Sequence, residues 1–298
     1  MDLSKHMTIQ SVASHLNVSW DLVKGIQKDN LNKRYRQPKL VKLKRIAIDE
    51  IYQGKKLGYL TIVLDLQRGA VIFVGNGKGA DALIPFWKRL KRSGARIEAV
   101  ATDMGPAYIS AVRANIPDAT LVFDHFHIIK LFNEKLTKLR RDLQREAEQG
   151  LGKPILKGIR WLLLKNPDNL DDKRSERQRL NEALKLNEPL ATAYYMKEEL
   201  RNIWQQPDKT SAQEVLDEWI KKAAASDINM LKQFSKTIAT HRSGILAYFD
   251  FNGLSTGPLE GINNKIKTLH KMAYGFRDVE FFKLKIMALH ETNYALVG

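Results

Sequence analysis

The order of apolar and polar residues near the N-terminus predicts two short helices. Val12, Leu16, Val23 and Ile26 recur at roughly helical spacing, and Ser19 follows a break where it can cap the second helix. Two helices joined by a short turn form a helix-turn-helix motif, in which the second helix enters the DNA major groove. A plain helical hairpin used for packing explains the same pattern.

The next region changes to the pattern of strands. Three β-branched runs occur in succession and are followed by alternating helices and strands: "RIAIDEIY", "GYLTIVLDL", "AVIFVGN", the helix "ADALIPFWKRLKR", the strand "RIEAVATDM", the helix "AYISAVRANI" and the strand "TLVFDHFHI". Pro85 is expected to kink the first of these helices. The pattern predicts a mixed five-stranded α/β sheet with parallel crossovers, in an order such as 3-2-1-4-5.

From about Lys130 to Tyr248 the chain is amphipathic at a period of 3.6 residues, which predicts an all-helical block. Its tryptophans, Trp161, Trp204 and Trp219, could contact DNA ends or a second subunit. Tryptophans in such helices more often belong to the core.

Composition restricts the partners more than the fold. The chain has 49 Lys and Arg against 33 Asp and Glu, a net charge of +16, and no cysteine. This surplus favours a polyanion as the partner, and no apolar run long enough to span a membrane or to form a signal peptide occurs. The absence of cysteine excludes disulfides and thiolate zinc sites and fits a reducing, cytoplasmic location. We therefore expect nucleic acid to be the partner.

One basic stretch precedes the first strand. Residues 31–45 contain seven basic residues and no acid, among them Lys33, Arg34 and Arg36. Such a run is usually a solvated linker, and here it is also expected to follow a DNA backbone.

Three acids are candidates for a metal site. Asp49 lies inside the first predicted strand, Asp103 ends the fourth, and Glu260 begins a late helix. Ligand sites in open α/β sheets gather at the carboxyl ends of strands, and two Mg²⁺ ions held by carboxylates can activate an attacking oxygen and stabilise a leaving one. The alternatives are a salt bridge for Asp49 and a helix cap for Asp103. Asp65 precedes "LQRG" and is expected to serve a turn.

The helix after Glu260 carries a basic face. From Phe251 to Arg277, Glu260 is the only acid, and Asn264, Lys267 and Lys271 share its face at helical spacing. Together with Lys265 and Arg277, this face suits a DNA strand lying across the helix. A solvated basic face is the alternative.

Several long blocks together resemble a known family. "IAIDE", "AVATDMGPAYISAVRANIPDATLVFDHFHIIKLFNEKL", "RWLLLKNP", "HRSGILAYF" and "TGPLEGINNKIKTLHKMAYGFRDVEFF" resemble the DDE transposases of bacterial insertion sequences, in the ISL-three family, over roughly residues 40 to 290. The resemblance implies an RNase H-like sheet interrupted by a helical insertion. It also implies that Asp49, Asp103 and Glu260 are the catalytic and metal-binding acids. Lys267 matches a basic position of the family, and Asp124 and His127 resemble an accessory Asp-x-x-His element.

The domain organisation expected from this resemblance has five parts. They are a helix-turn-helix remnant (1–30), a basic linker (31–45), the first part of the RNase H-like core (46–130), the helical insertion (131–250) and a C-terminal region that completes the core (251–298). Members of the family usually carry an N-terminal zinc module with cysteines, so this chain is expected to begin part-way into the DNA-binding region.

The activity implied is cleavage and strand transfer of double-stranded DNA, at the element ends and at the target. Two Mg²⁺ or Mn²⁺ ions, a homo-oligomer on DNA, and a bacterial cytoplasm with association to the nucleoid are implied with it. No membrane and no small-molecule substrate is expected. Two alternatives remain open: a non-catalytic DNA-binding protein that competes with intact transposase, and an RNase H-like nuclease that cuts branched DNA or hybrids.

Overall fold

The computed structural model describes residues 3–55, 58–150 and 158–291. The chain divides into two compact units, one formed by residues 1–122 with 254–298 and the other by residues 123–253. The first is called the sheet unit below and the second the helical unit.

The sheet unit is built on five strands, β1 (Arg45–Tyr52), β2 (Tyr59–Asp65), β3 (Ala70–Asn76), β4 (Ala99–Thr102) and β5 (Thr120–Phe123). The strands lie in the order β3-β2-β1-β4-β5, with β2 antiparallel to both β1 and β3 and with β4 parallel to β1. This is the RNase H-like arrangement, and the predicted order is confirmed.

Helices cover both faces of this sheet. The sheet unit contains α1 (Leu3–His6), α2 (Ile9–Leu16), α3 (Trp20–Tyr35), α4 (Ile84–Ser93), α5 (Pro106–Asn115), α13 (Gly257–Met272) and α14 (Val279–Met287). One face, represented by Ala47 and Ala101, packs on α3, α13 and α14, whereas the other, represented by Ile46 and Val100, packs on α4 and α5. Because successive side chains of a strand point to opposite faces, the odd-numbered residues of β1 face α13.

Two predicted strands are longer than the observed ones. β4 covers only Ala99–Thr102, and β5 ends at Phe123 because Asp124 caps the following helix by accepting a hydrogen bond from the amide of Phe126. The predicted helix that contains Pro85 is divided in two, a 3-10 helix over Ala80–Leu83 and α4 from Ile84. Pro85 occupies the first turn of α4, where its missing N–H has no helical partner to lose.

The two N-terminal helices form as predicted, but only two of the four apolar positions predicted for their shared face are buried. The Ser19 hydroxyl caps α3 by accepting the amide of Leu22 at 3.2 Å, and Val12 and Val23 are buried against each other. Leu16 and Ile26, expected on the same apolar face, are instead 52% and 54% exposed. The buried side of α3 continues through Leu31 and Tyr35, so the start of the predicted basic linker is helical and packed.

The helical unit consists of α6 (His125–Glu148), α7 (Arg160–Leu164), α8 (Glu176–Leu186), α9 (Glu188–Asn202), α10 (Lys209–Ala225), α11 (Asn229–Thr240) and α12 (Arg242–Asp250). Its core includes Phe132, Trp219 and Phe234, whose rings meet edge to face at centroid distances of 5.0–6.3 Å. Trp219 is a core residue, while Trp161 is 65% exposed.

A fully buried lysine ties two parts of the helical unit together. The Lys197 ammonium donates to the carbonyl of Leu163 at 2.6 Å and pairs with Glu198 at 2.7 Å. Burial lowers the pKa of Lys197, and Glu198 opposes that shift.

No helix in the described part of the chain has the length and apolar character needed to cross a bilayer.

In the sheet unit, one carboxylate joins α3 to α14. Asp278 Oδ2 lies 2.8 Å from Lys28 Nζ and 3.1 Å from Lys24 Nζ, and its Oδ1 accepts the amide of Phe281 at 3.0 Å. Partial burial acts to raise the pKa of Asp278, but hydrogen bonds from Lys28, Phe281 and Lys24 outweigh it. The pKa of this carboxyl is therefore held well below its usual value.

We predict that Asp278→Asn lowers the free energy of unfolding by about 0.5–1 kcal/mol at pH 7, since asparagine keeps the helix cap but loses both ion pairs. A carboxyl whose pKa is depressed in the folded state stabilises the fold above its unfolded pKa of about 3.9, and this stabilisation is lost as the pH falls from there through the folded-state pKa. In urea unfolding curves the difference from the wild type should therefore stay constant above about pH 5, begin to shrink near pH 4 and continue to shrink at lower pH. Asp118→Asn, at an exposed carboxylate, is the control, and a difference that does not change with pH would contradict the prediction.

Candidate active site

The site begins with the pairing of the two central strands. β1 and β4 run parallel with Arg45 opposite Ala99 and Ala47 opposite Ala101. Asp103 follows Asp49 by 54 residues (103 minus 49), which is the same offset as between the paired residues Arg45 and Ala99 (99 minus 45). The observed pairing ends at Ala47 and Ala101, two residues before each aspartate. Because neighbouring strands lie about 4.8 Å apart, the equal offset predicts that Asp49 and Asp103 lie near each other.

Asp49 belongs to the face of the sheet that packs on α13, since Ala47 and Ile51 flank it on the same side of β1. Asp103 follows Thr102, the last residue of β4. Both side chains are half-buried. Asp103 lies just past the carboxyl end of β4, and Asp49 lies on the neighbouring strand β1. This is the end of the sheet where the sequence predicts a site.

Asp49 is fixed by hydrogen bonds at both carboxylate oxygens. Its Oδ1 accepts the amide of Glu50 at 2.8 Å, and its Oδ2 accepts the side-chain amide of Asn263 at 2.8 Å. Asn263 lies on α13, so this bond joins the central strand to the helix that carries Glu260.

Asp103 is held by the turn that follows it. Its Oδ1 accepts the amide of Gly105 at 2.9 Å. α5 begins at Pro106 after Gly105, without a side-chain cap, so the alternative of Asp103 as the helix cap is wrong. A Cβ atom at position 105 would lie 2.7 Å from Asp103 Oδ1, so the carboxylate occupies space that only glycine leaves open.

Glu260 lies in the first turn of α13 and is exposed. It precedes Asn263 by three residues, which places their Cβ atoms about 5–6 Å apart on neighbouring positions of the helix. Asn263 contacts Asp49 directly, so Glu260 lies one helical turn before the residue that touches this aspartate.

The donor chemistry of these residues fits a hard divalent cation. Carboxylate oxygens are the ligands that Mg²⁺ and Mn²⁺ prefer, and the buried Oδ1 of Asn263 has no hydrogen-bond partner. Among the described residues, however, no three acids or histidines are grouped closely enough to be a ready metal site.

The neighbouring acid in β1 has a different environment. Glu50 points to the other face of the sheet, where its Oε2 accepts the hydroxyl of Tyr108 at 3.0 Å. Tyr108 is buried and also accepts the amide of Gly79. Burial raises the pKa of Tyr108 to about 12, and Glu50 adds to that shift. Glu50 is thus part of a structural network.

Asp65 serves the turn that follows β2, as predicted. Its carboxylate accepts the amides of Gln67 and Arg68 at 2.9 and 3.3 Å.

Asp124 and His127 belong to the helical unit. Asp124 is 1% exposed, caps α6 and has His125 and His127 nitrogens at 3.2 and 3.6 Å from its oxygens. The cap alternative for Asp124 is therefore observed, and the accessory role of Asp124 and His127 stays a prediction.

The predicted DNA-binding residues are solvent-accessible. The side chains exposed along and after α13 are Asn264, Lys265, Lys267, Lys271 and Arg277, and those exposed at the end of α3 are Lys33, Arg34 and Arg36. Sequence reasoning named these residues but missed Asn263, Gly105 and Tyr108. The spacing of Asn263 from Glu260 was visible, but its partner in β1 was not.

The strand order of the sheet, with helices on both faces, defines an RNase H-like fold. A family model described as a transposase, that of the ISL-three DDE family, matches residues 46–286. The chain is 35% identical over 294 residues to the transposase for insertion sequence element IS1001 of Bordetella parapertussis, covering 98% of this chain and 72% of that protein. It therefore belongs to the ISL-three family of DDE transposases.

Two further similarities are weaker. The transposase for insertion sequence element IS1557 of Mycobacterium tuberculosis is 31% identical over 265 residues, covering 81% of this chain and 59% of that protein. Among solved structures, the Drosophila P element transposase strand transfer complex aligns with a TM-score of 0.47 and 11% identity, covering 85% of this chain and 77% of that one.

We predict that Gly105→Ala reduces DNA cleavage about 10- to 100-fold, the loss expected when the surroundings of a metal ligand, here the predicted ligand Asp103, are disturbed. The new methyl group would displace the Asp103 carboxylate. The free energy of unfolding should change by less than about 1 kcal/mol, because the φ of −66° and ψ of 123° suit any residue. Cleavage rates at saturating DNA and urea unfolding measure the two effects.

The matched control is Gly25→Ala, since a Cβ there meets nothing within 4 Å. Gly25 lies in α3, so both variants are compared at saturating DNA, where a change in DNA affinity does not alter the cleavage rate. Wild-type cleavage by Gly105→Ala would show that the placement of Asp103 next to this turn has no catalytic consequence.

Proposed function

We propose that this transposase cuts and joins DNA by a metal-dependent DDE mechanism, with Asp49, Asp103 and Glu260 as the catalytic acids. The observation that carries the proposal is the parallel register of β1 and β4, which supports a shared site for the two aspartates. The bond between Asn263 and Asp49 supports the approach of Glu260 to the same site.

The three acids come from different elements of the sheet unit. Asp49 and Asp103 approach from adjacent strands, and Glu260 approaches from the helix across them. Divalent cations, when bound, supply the Lewis acidity that activates an attacking oxygen and stabilises a leaving one. The carboxylates fix where this chemistry occurs relative to the phosphodiester.

The reaction has two displacements at phosphorus. Water attacks the phosphodiester at the end of the element, the P–O bond breaks, and a 3′-OH is released. That hydroxyl then attacks a phosphodiester of the target, forms a new phosphodiester and displaces a target 3′-OH. No side chain forms a covalent bond with DNA in either step.

The distribution of charge supports DNA binding at the sheet unit. Residues 1–122 and 254–298 contain 26 Lys and Arg against 14 Asp and Glu, a net charge of +12 out of the total of +16. We infer that double-stranded DNA, as element ends and target, lies along the exposed face of α13, which carries Lys265, Lys267 and Lys271. The helix-turn-helix order of α2 and α3 is a second DNA contact in this proposal.

We predict that Asp49→Asn, Asp103→Asn and Glu260→Gln each reduce cleavage of a plasmid carrying the element ends by about 100-fold or more, as loss of one electrostatic group from a catalytic centre does. DNA binding should remain within about twofold. Glu50→Gln is the matched control because it removes the adjacent carboxylate from the opposite face of the sheet. Full cleavage by Asp49→Asn would contradict the assignment of Asp49, and absence of cleavage by the wild type would favour the non-catalytic DNA-binding interpretation.

We also predict a steep dependence of DNA affinity on salt. Each of Lys265→Ala, Lys267→Ala and Lys271→Ala should reduce the slope of log K against log salt by about 0.9, the value for one neutralised phosphate. Lys222→Ala removes the same charge from the helical unit, where Glu199 and Glu218 lie 3.4 and 3.2 Å from its nitrogen, and should leave the slope unchanged. Fluorescence anisotropy between 50 and roughly 200 mM salt measures the slopes, and equal slopes for all four variants would exclude this face of α13.

A further inference from the structure

Asn263 connects the two parts of the site. It lies 214 residues from Asp49 in sequence, and its Nδ2 donates to Asp49 Oδ2 at 2.8 Å. The side chain is buried, with 8% exposure, whereas Glu260 and Asn264 on the same helix are exposed.

The chemistry of the bond fixes the orientation of the amide. An ionised carboxylate only accepts hydrogen bonds, so the amide nitrogen and not the oxygen must face Asp49. The Asn263 Oδ1 is consequently turned away from that carboxylate, and it is buried without a hydrogen-bond partner. A buried polar atom left in this way is costly unless another group satisfies it.

Packing alone gives no reason for an amide at this position. The neighbouring buried residues of α13 are Leu259, Ile262 and Ile266, which belong to the apolar core beneath the sheet. A leucine at position 263 would extend that core without leaving an unsatisfied oxygen. The amide therefore has a role that depends on hydrogen bonding to Asp49.

We propose that Asn263 is a positioning residue, which holds the Asp49 carboxylate in a fixed orientation and keeps the helix of Glu260 in place next to it. This inference rests on the proposed function, because it assigns Asn263 to the same site. A carboxylate held in this way loses less conformational freedom when it binds a cation.

The test measures binding of Mn²⁺ alone to the full chain, by electron paramagnetic resonance and without DNA. Asn263→Leu keeps a similar volume and removes the amide, and Asn263→Ala removes both. We expect Mn²⁺ affinity to fall about 10- to 100-fold in each variant, the range for loss of a group that orients a metal ligand. The Mn²⁺ concentration for half-maximal DNA cleavage should rise by a similar factor.

Asn115→Ala is the matched control. Its amide donates to the backbone of its own helix, at Ala111, and it lies in the same unit. Its Mn²⁺ affinity should remain within about twofold of the wild type, since no metal ligand depends on it.

The results that overturn the inference are distinct. Wild-type Mn²⁺ affinity in Asn263→Leu would show that the residue only fills space. Loss of folding in both variants, detected by near-UV circular dichroism, would make Asn263 a structural residue and also overturn the proposal.

A double variant separates this inference from the proposed function. If Asn263 acts through Asp49, then Asp49→Asn with Asn263→Leu should bind Mn²⁺ no more weakly than Asp49→Asn alone. An additive loss would contradict the positioning role. If Asp49→Asn itself bound Mn²⁺ like the wild type, the proposed site would fail whatever Asn263 does.

Discussion

The parallel pairing of β1 with β4 is the constraint on which the site depends. A shift of one residue in that register would turn the side chain of Asp49 or Asp103 to the opposite face of the sheet. The buried residues on both sides prevent such a shift, since Ile46 and Val100 belong to one core and Ala47 and Ala101 to the other. Packing on two faces thus maintains the strand register that precedes the two half-buried acids.

α13 makes a second contribution through its two sides. Its buried side, with Ile262 and Ile266, is held by apolar packing, and Asn263 adds a polar bond to β1. Its exposed side carries Glu260 and the lysines. Since both sides belong to one rigid helix, the anchoring of the buried side also determines where the exposed acid and cations lie relative to the sheet.

The separation of the acids along the chain reflects the insertion. Glu260 follows Asp103 by 157 residues (260 minus 103), and most of them belong to the helical unit, which begins at Phe123, the last residue of β5. That unit has its own core, built around Trp219 and Phe132, and a net charge of only +4, from 23 Lys and Arg against 19 Asp and Glu. The excess of positive charge is therefore concentrated in the sheet unit, where the acids are.

The sequence by itself determined the strands, their order and the helical block, because hydrophobic periodicity is local, and its long family motifs supplied the three acids that remain a prediction. Only the tertiary structure decided that Asn263 bonds to Asp49, that Gly105 makes room for Asp103, and that Glu50 belongs to the network of Tyr108. It also ended β5 at Phe123, where the cap formed by Asp124 overrides the β-branched pattern. These features depend on contacts between residues distant in sequence, or on the competition between a cap and a strand, and neither has a periodic signal.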